Sequence, residues 1–134
     1  VSDIREDQHP KIWALLFCED SAKRLSAIDV LSKITVEWPV SWLALLLADP
    51  QTRIASAAFE AIRKRGRSAL PLLSPQRLSP LFKVRQGAVK MLGEFGDLSC
   101  LHDMIPALFD PVVDVREEGR KAMEAVLKRA VETS

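Results

Sequence analysis

The chain has 134 residues, 48% hydrophobic and 28% charged, with 19 Lys and Arg against 18 Asp and Glu and a formal net charge of +1. This balance excludes an intrinsically disordered chain, and a chain of this length buries roughly 65–70% of the surface its unfolded form exposes, enough for a core without disulfide or metal staples. The longest apolar run, residues 42–48, is far short of a membrane span, and the acidic opening with Asp3, Glu6 and Asp7 is unlike a signal peptide, so the expectation is a cytoplasmic chain with no membrane association.

Apolar residues recur at three- and four-residue intervals, Tyr is absent and no stretch alternates apolar with polar, which predicts an all-α fold. A first apolar helix covers 12–17 and contains Trp13. The turn Glu19-Asp20-Ser21 opens a second helix, and Trp38-Pro39 forms the linker that follows. Another first helix covers 40–47 with Trp42. Asp49-Pro50 then ends one helix and starts the next, because Pro suits a first helical turn and Asp can cap free N–H groups. That helix closes on Arg63-Lys64-Arg65-Gly66-Arg67, where Gly66 is the expected left-handed terminator. Residues 69–78 carry Pro71 and Pro75, so a kinked or partly unwound element is expected there. A helix containing Val84-Arg85, a first helix over 101–109, the turn Asp110-Pro111 and a final helix containing Val115-Arg116 complete the chain.

The chain repeats itself. Residues 78–88 match 109–119 without a gap, placing Pro80 on Pro111, Val84 on Val115 and Arg85 on Arg116. Extended backward, the register places Thr52 and Arg24 in the same column, with spacings of 28, 33 and 31 residues. Three residues after that column stand Ala27, Ala55, Ala88 and Gly119; seven after stand Leu31, Phe59, Leu92 and Met123; ten after stand Ile34, Ile62, Phe95 and Val126. Offsets of three, seven and ten trace one stripe of a helix, and the small residue at its start admits a close neighbour. Four repeats result, at about 12–36, 40–66, 69–97 and 101–130.

A helix ending in Leu or Phe, an Asp-Pro turn, Val-Arg, a small residue three on and Leu four after that resembles the HEAT repeat, in the short form also found in the phycobilin-lyase-like subfamily. The resemblance is strongest in the fourth repeat and weakest in the first two. It implies one domain, an α-solenoid of four stacked antiparallel helix pairs with the second helices lining a concave face. It also implies that the column arginine bonds an Asp or a carbonyl in its own or the next turn, making Arg85 and Arg116 structural, with Asp110 and Asp114 as candidate partners.

No catalytic or cofactor motif is present: no Gly-rich phosphate loop, no His-Glu-x-x-His, no Cys-x-x-Cys. Cys18 and Cys100 lie 82 positions apart and read as reduced packing thiols. His102 is two residues from Cys100, on another face of its helix, and no metal or cofactor is expected. The reading is therefore non-enzymatic.

Charge is the more informative signal. Residues 51–93 carry nine basic side chains and one acid, Glu60, between two acidic flanks. The exposed second-helix columns change sign: five residues after the arginine column come Asp29, Ala57, Lys90 and Lys121. A groove tracking a phosphate backbone would be basic along its length. The expected function is a scaffold or adaptor that binds an acidic protein partner through Arg53, Lys64, Arg67, Lys90 and Lys121. The alternatives are a nucleic-acid-binding protein resembling the HEAT-like alkylpurine DNA glycosylases, or a solenoid subunit of a larger enzyme complex. The apolar first helix further suggests a cover from residues 1–11, or a homodimer contact.

Overall fold

A computed structural model describes residues 8–34 and 39–133. All regular structure among them is helical, and the chain divides into two compact units, Val1–Arg65 and Gly66–Ser134.

The first unit contains α1 (His9–Leu16), α2 (Ser21–Ser32), α3 (Pro39–Leu45), which tightens into a 3-10 turn over Leu46–Ala48, and α4 (Thr52–Arg63). Helix α1 packs on α2, α3 packs on α4, and α2 and α4 pack on each other. Leu16, Leu31, Leu43, Ile54 and Ile62 are fully buried there, each contributing about 1.5–3 kcal/mol of transfer free energy. Trp13 does not join that core. It stands edge-on to Trp42 with ring centroids 5.0 Å apart and remains 42% exposed, beside the exposed Leu15 and Phe17. Trp38 and residues 1–7 lie outside the described residues.

The second unit follows the same plan. A 3-10 turn over Gly66–Ala69, a single α-turn α5 (Leu70–Leu73) and a 3-10 segment Ser74–Leu78 make up its first helical element, then α6 (Phe82–Phe95) follows. Pro71 and Pro75 each lack an N–H and clash with the preceding turn, which is why residues 69–78 are unwound as expected. The same break recurs at α7 (Leu101–Met104) and the 3-10 segment Ile105–Phe109, around Pro106, before α8 (Val113–Thr133). Helices α6 and α8 form the main contact of this unit. Their closest approach requires Gly93, where a Cβ would lie 2.7 Å from Ala122 Cα. Gly66 has φ +59°, the left-handed conformation expected of a terminator.

The four second helices begin alike, and this corrects the register drawn from sequence. The N–H groups of Ile54 and Ala55 both donate to the Gln51 carbonyl, those of Val84 and Arg85 to Leu81, and those of Val115 and Arg116 to Val112, while Arg24 N–H donates to Asp20. Two residues before three of the four acceptors, a polar side chain closes the turn: Asp49 Oδ1 accepts from Gln51 N–H at 2.9 Å, Ser79 Oγ from Leu81 at 3.1 Å and Asp110 Oδ1 from Val112 at 2.9 Å. The residue equivalent to Arg24, Arg85 and Arg116 is therefore Ala55, three positions later than Thr52, and the repeat spacing becomes 31, 30 and 31 residues. The small column is Ala27, Ala58, Ala88 and Gly119, all buried. The apolar stripe by itself points to a register three residues early, because position ten of this repeat is Arg65, a cation in an otherwise apolar column. Its stem is half-buried and its Nη2 donates to the Leu31 carbonyl at 3.0 Å.

Candidate interaction surface

The column arginines bond the turns that flank their helices. Arg24, Arg85 and Arg116 each donate from Nη1 to the carbonyl six residues back, at Cys18 (2.7 Å), Ser79 (2.9 Å) and Asp110 (2.7 Å). Two of them also reach an aspartate 25 residues on: Arg24 Nε lies 3.2 Å from Asp49 Oδ2, and Arg85 Nε 2.8 Å from Asp110 Oδ2. Asp110 serves Arg85 and Arg116 in different ways, one through its carboxylate and one through its carbonyl. Asp114 is exposed in the first turn of α8, and the bonds of Arg85 and Arg116 go to Asp110 instead.

The other end of each second-helix pair is also tied by arginine. Arg65 caps the α2 carbonyl of Leu31, Arg129 Nη2 donates to Gly96 at 2.7 Å, and Arg67 Nη1 donates to Phe95 at 2.6 Å while its Nη2 lies 3.2 Å from Asp97 Oδ2. These groups complement the partial negative charge of a helix C-terminus. Asp97 is held below the usual carboxylate range, first by the Ser99 hydroxyl and N–H and then by Arg67. Burial lowers the Arg65 pKa. Much of the basic belt thus serves internal bonds, including Arg77 with Asp103 at 3.4 Å and Lys83 over the Phe82 ring at 5.7 Å. That was invisible in sequence, where the carbonyl acceptors carry no residue signature.

The expected binding residues consequently fall into two groups. Arg67 is committed to α6, and Arg53 Nη2 lies 3.4 Å from Ser21 Oγ. Lys90 and Lys121 are exposed on α6 and α8, and Lys64 is exposed at the C-cap of α4. Lys64 lines a groove between α2 and α4 with a volume of about 240 Å³, floored by Ile28 and Ala61 and flanked by Asp29 and Glu60. The equivalent positions of the second unit also face one another: Gln86 Nε2 lies 3.5 Å from Glu118 Oε1, and Gly93 touches Ala122. There, Lys90 and Lys121 stand where the first unit has Asp29 and Glu60. With the corrected register, the column five residues after the arginine position reads Asp29, Glu60, Lys90, Lys121. All four are exposed.

Two further cavities lie within the second unit. A 340 Å³ notch at its turn edge is walled by the Arg77–Asp103 and Arg85–Asp110 pairs and rimmed by Leu78 and Phe109, which are 70% and 80% exposed. A 560 Å³ cavity at the α6 C-terminus is lined by Phe95, Leu98 and Val126 together with the capping Arg67 and Arg129. Cys18 and Cys100 are free thiols, and no group of three or more His, Cys, Asp or Glu suited to a metal occurs among the described residues. No described helix is long and apolar enough to cross a membrane. No family model and no curated protein matches the chain.

Proposed function

We propose that the chain is a non-catalytic, HEAT-like scaffold that binds a protein partner with an acidic patch through the exposed faces of its second helices, Lys90 and Lys121 being the central contacts. One observation carries this reading. The small column is buried throughout as Ala27, Ala58, Ala88 and Gly119, and Leu31, Ile62 and Leu92 are buried in the apolar column with Met123 half-buried, whereas the exposed column beside them changes from Asp29 and Glu60 to Lys90 and Lys121. A constant frame that displays varied charges is the arrangement of a recognition surface, where charge sets specificity and association rate.

A nucleic-acid groove is less well supported, because Arg65, Arg67, Arg77 and Arg85 of the belt are engaged in internal bonds. The test is titration with a Glu-rich peptide and with a random DNA duplex, each at low and moderate salt. The peptide should bind in a salt-dependent manner and lose affinity at least tenfold against Lys90→Glu/Lys121→Glu. Duplex binding tighter than micromolar with a steep salt slope would overturn the proposal in favour of nucleic acid.

A further inference from the structure

The second-helix faces of the two units are the same surface with the charges inverted. In the first unit the α2/α4 face presents Asp29 and Glu60, with Lys64 at the α4 C-cap. In the second, the α6/α8 face presents Lys90 and Lys121 at the equivalent positions, with Glu118 near the start of α8. Each face thus offers two charges of one sign at matching places and one of the other sign. The first-unit carboxylates are not locked into their own helices. The Asp29–Lys33 pair at 3.2 Å and the Glu60–Arg63 pair at 3.6 Å are solvent-exposed, of a kind worth only about 0.2–1 kcal/mol, so these carboxylates can exchange partners at little cost.

The apolar content differs in a complementary sense. Ser32 and Ala61 leave the first-unit face as an open groove of about 240 Å³. In the second unit, Gly93 and Ala122 occupy the same two positions, and the helices approach so closely that a Cβ at Gly93 would lie 2.7 Å from Ala122 Cα. One face is recessed and carries Asp29 and Glu60; the other is closely packed at Gly93 and carries Lys90 and Lys121.

We infer that the acidic α2/α4 face of one molecule docks the basic α6/α8 face of a second copy, Asp29 and Glu60 meeting Lys90 and Lys121. This deepens the proposed function and rests on it, since the acidic partner it calls for is then the chain itself. The contact is heterologous, joining two different surfaces of the same chain. Like faces repel, so a first-unit face rejects another first-unit face and the pairing is specific.

Charge inversion tests this directly. Sedimentation equilibrium of the full chain at low salt should show a mass rising with concentration above the monomer's 14.9 kDa and returning to it at high salt. Asp29→Lys/Glu60→Lys makes both faces basic, and Lys90→Glu/Lys121→Glu makes both acidic. Each variant alone should stay at monomer mass with an unchanged circular dichroism spectrum, since all four positions are exposed. An equimolar mixture of the two should associate, and so should the chain carrying all four substitutions.

A wild-type chain that stays monomeric at every concentration, or a mixture that fails to associate, overturns the inference. The Glu-rich peptide separates this from failure of the proposed function. Monomeric wild-type protein that binds the peptide through Lys90 and Lys121 removes the second copy and keeps the binding face. Monomeric protein that does not bind the peptide removes both.

Discussion

Arg85 grips Asp110 with two parallel hydrogen bonds, Nε to Oδ2 at 2.8 Å and Nη2 to Oδ1 at 2.9 Å, with the two side chains 15% and 10% exposed. Because Nη1 also holds the Ser79 carbonyl, one guanidinium joins the start of α6 to both flanking turns. Arg85→Ala should therefore cost about 1.5–3 kcal/mol, the range for hydrogen bonds to a charged group, and lower the melting temperature measurably. Arg85→Lys should not restore it, since an ammonium cannot reproduce the planar fork. An unchanged melting temperature in Arg85→Ala would show the contact to be ornamental.

The same pair gives stability a defined pH dependence. The hydrogen bonds from Arg85, followed by the Val112 N–H, hold the Asp110 carboxyl below the usual carboxylate range, although burial opposes them. A carboxyl depressed in the folded state contributes stability that is fully present above its unfolded pKa of about 3.9 and is lost as pH falls through the folded value. Asp110→Asn should lower stability at pH 7 while flattening the acid limb of the stability curve below about pH 4. Chemical denaturation at a series of pH values checks both, and an acid limb as steep as that of the wild type would assign the effect to other carboxylates.

Gly93 and Gly119 set the helix spacing of the second unit. A Cβ at Gly93 would meet Ala122 Cα at 2.7 Å, and one at Gly119 would meet Ala107 Cβ at 2.8 Å. Gly93→Ala should destabilise by about 1–3 kcal/mol through overpacking, despite the better helix propensity of Ala. Ala122→Gly in the Gly93→Ala background should recover part of that loss, which a propensity effect alone would not allow. A double-mutant cycle by thermal denaturation reads the coupling.

The corrected register makes its own prediction. Ala58 is fully buried in the column of Ala27, Ala88 and Gly119, whereas Ala55 is half-buried in the arginine column. Ala58→Leu should cost about 1–3 kcal/mol and Ala55→Leu distinctly less. The reverse order would restore the register through Thr52.

Arg67 separates capping from binding. It is exposed, at 62% of its side chain, but spends its donors on Phe95 and Asp97. Arg67→Ala should lower the melting temperature slightly and leave Glu-rich peptide affinity unchanged, while Lys90→Glu/Lys121→Glu does the opposite. Equal losses of affinity in both variants would return Arg67 to the binding surface.

Helix was legible from the sequence alone because its physics is local: apolar spacing, Asp49-Pro50 and Asp110-Pro111, and the prolines that unwind residues 69–78 all act within a few residues of themselves. Repetition was legible too, since each repeat must bury a similar stripe. The register of the second repeat was not, because Arg65 occupies an apolar column by a contact across 34 residues to the Leu31 carbonyl, an acceptor that any residue type provides. For the same reason the basic belt looked like a surface in sequence and is, in the folded units, largely a set of caps and ties. Only tertiary packing decides which cations meet carbonyls and which face solvent, and only the helix starts it aligns bring Asp29 and Glu60 into one column with Lys90 and Lys121.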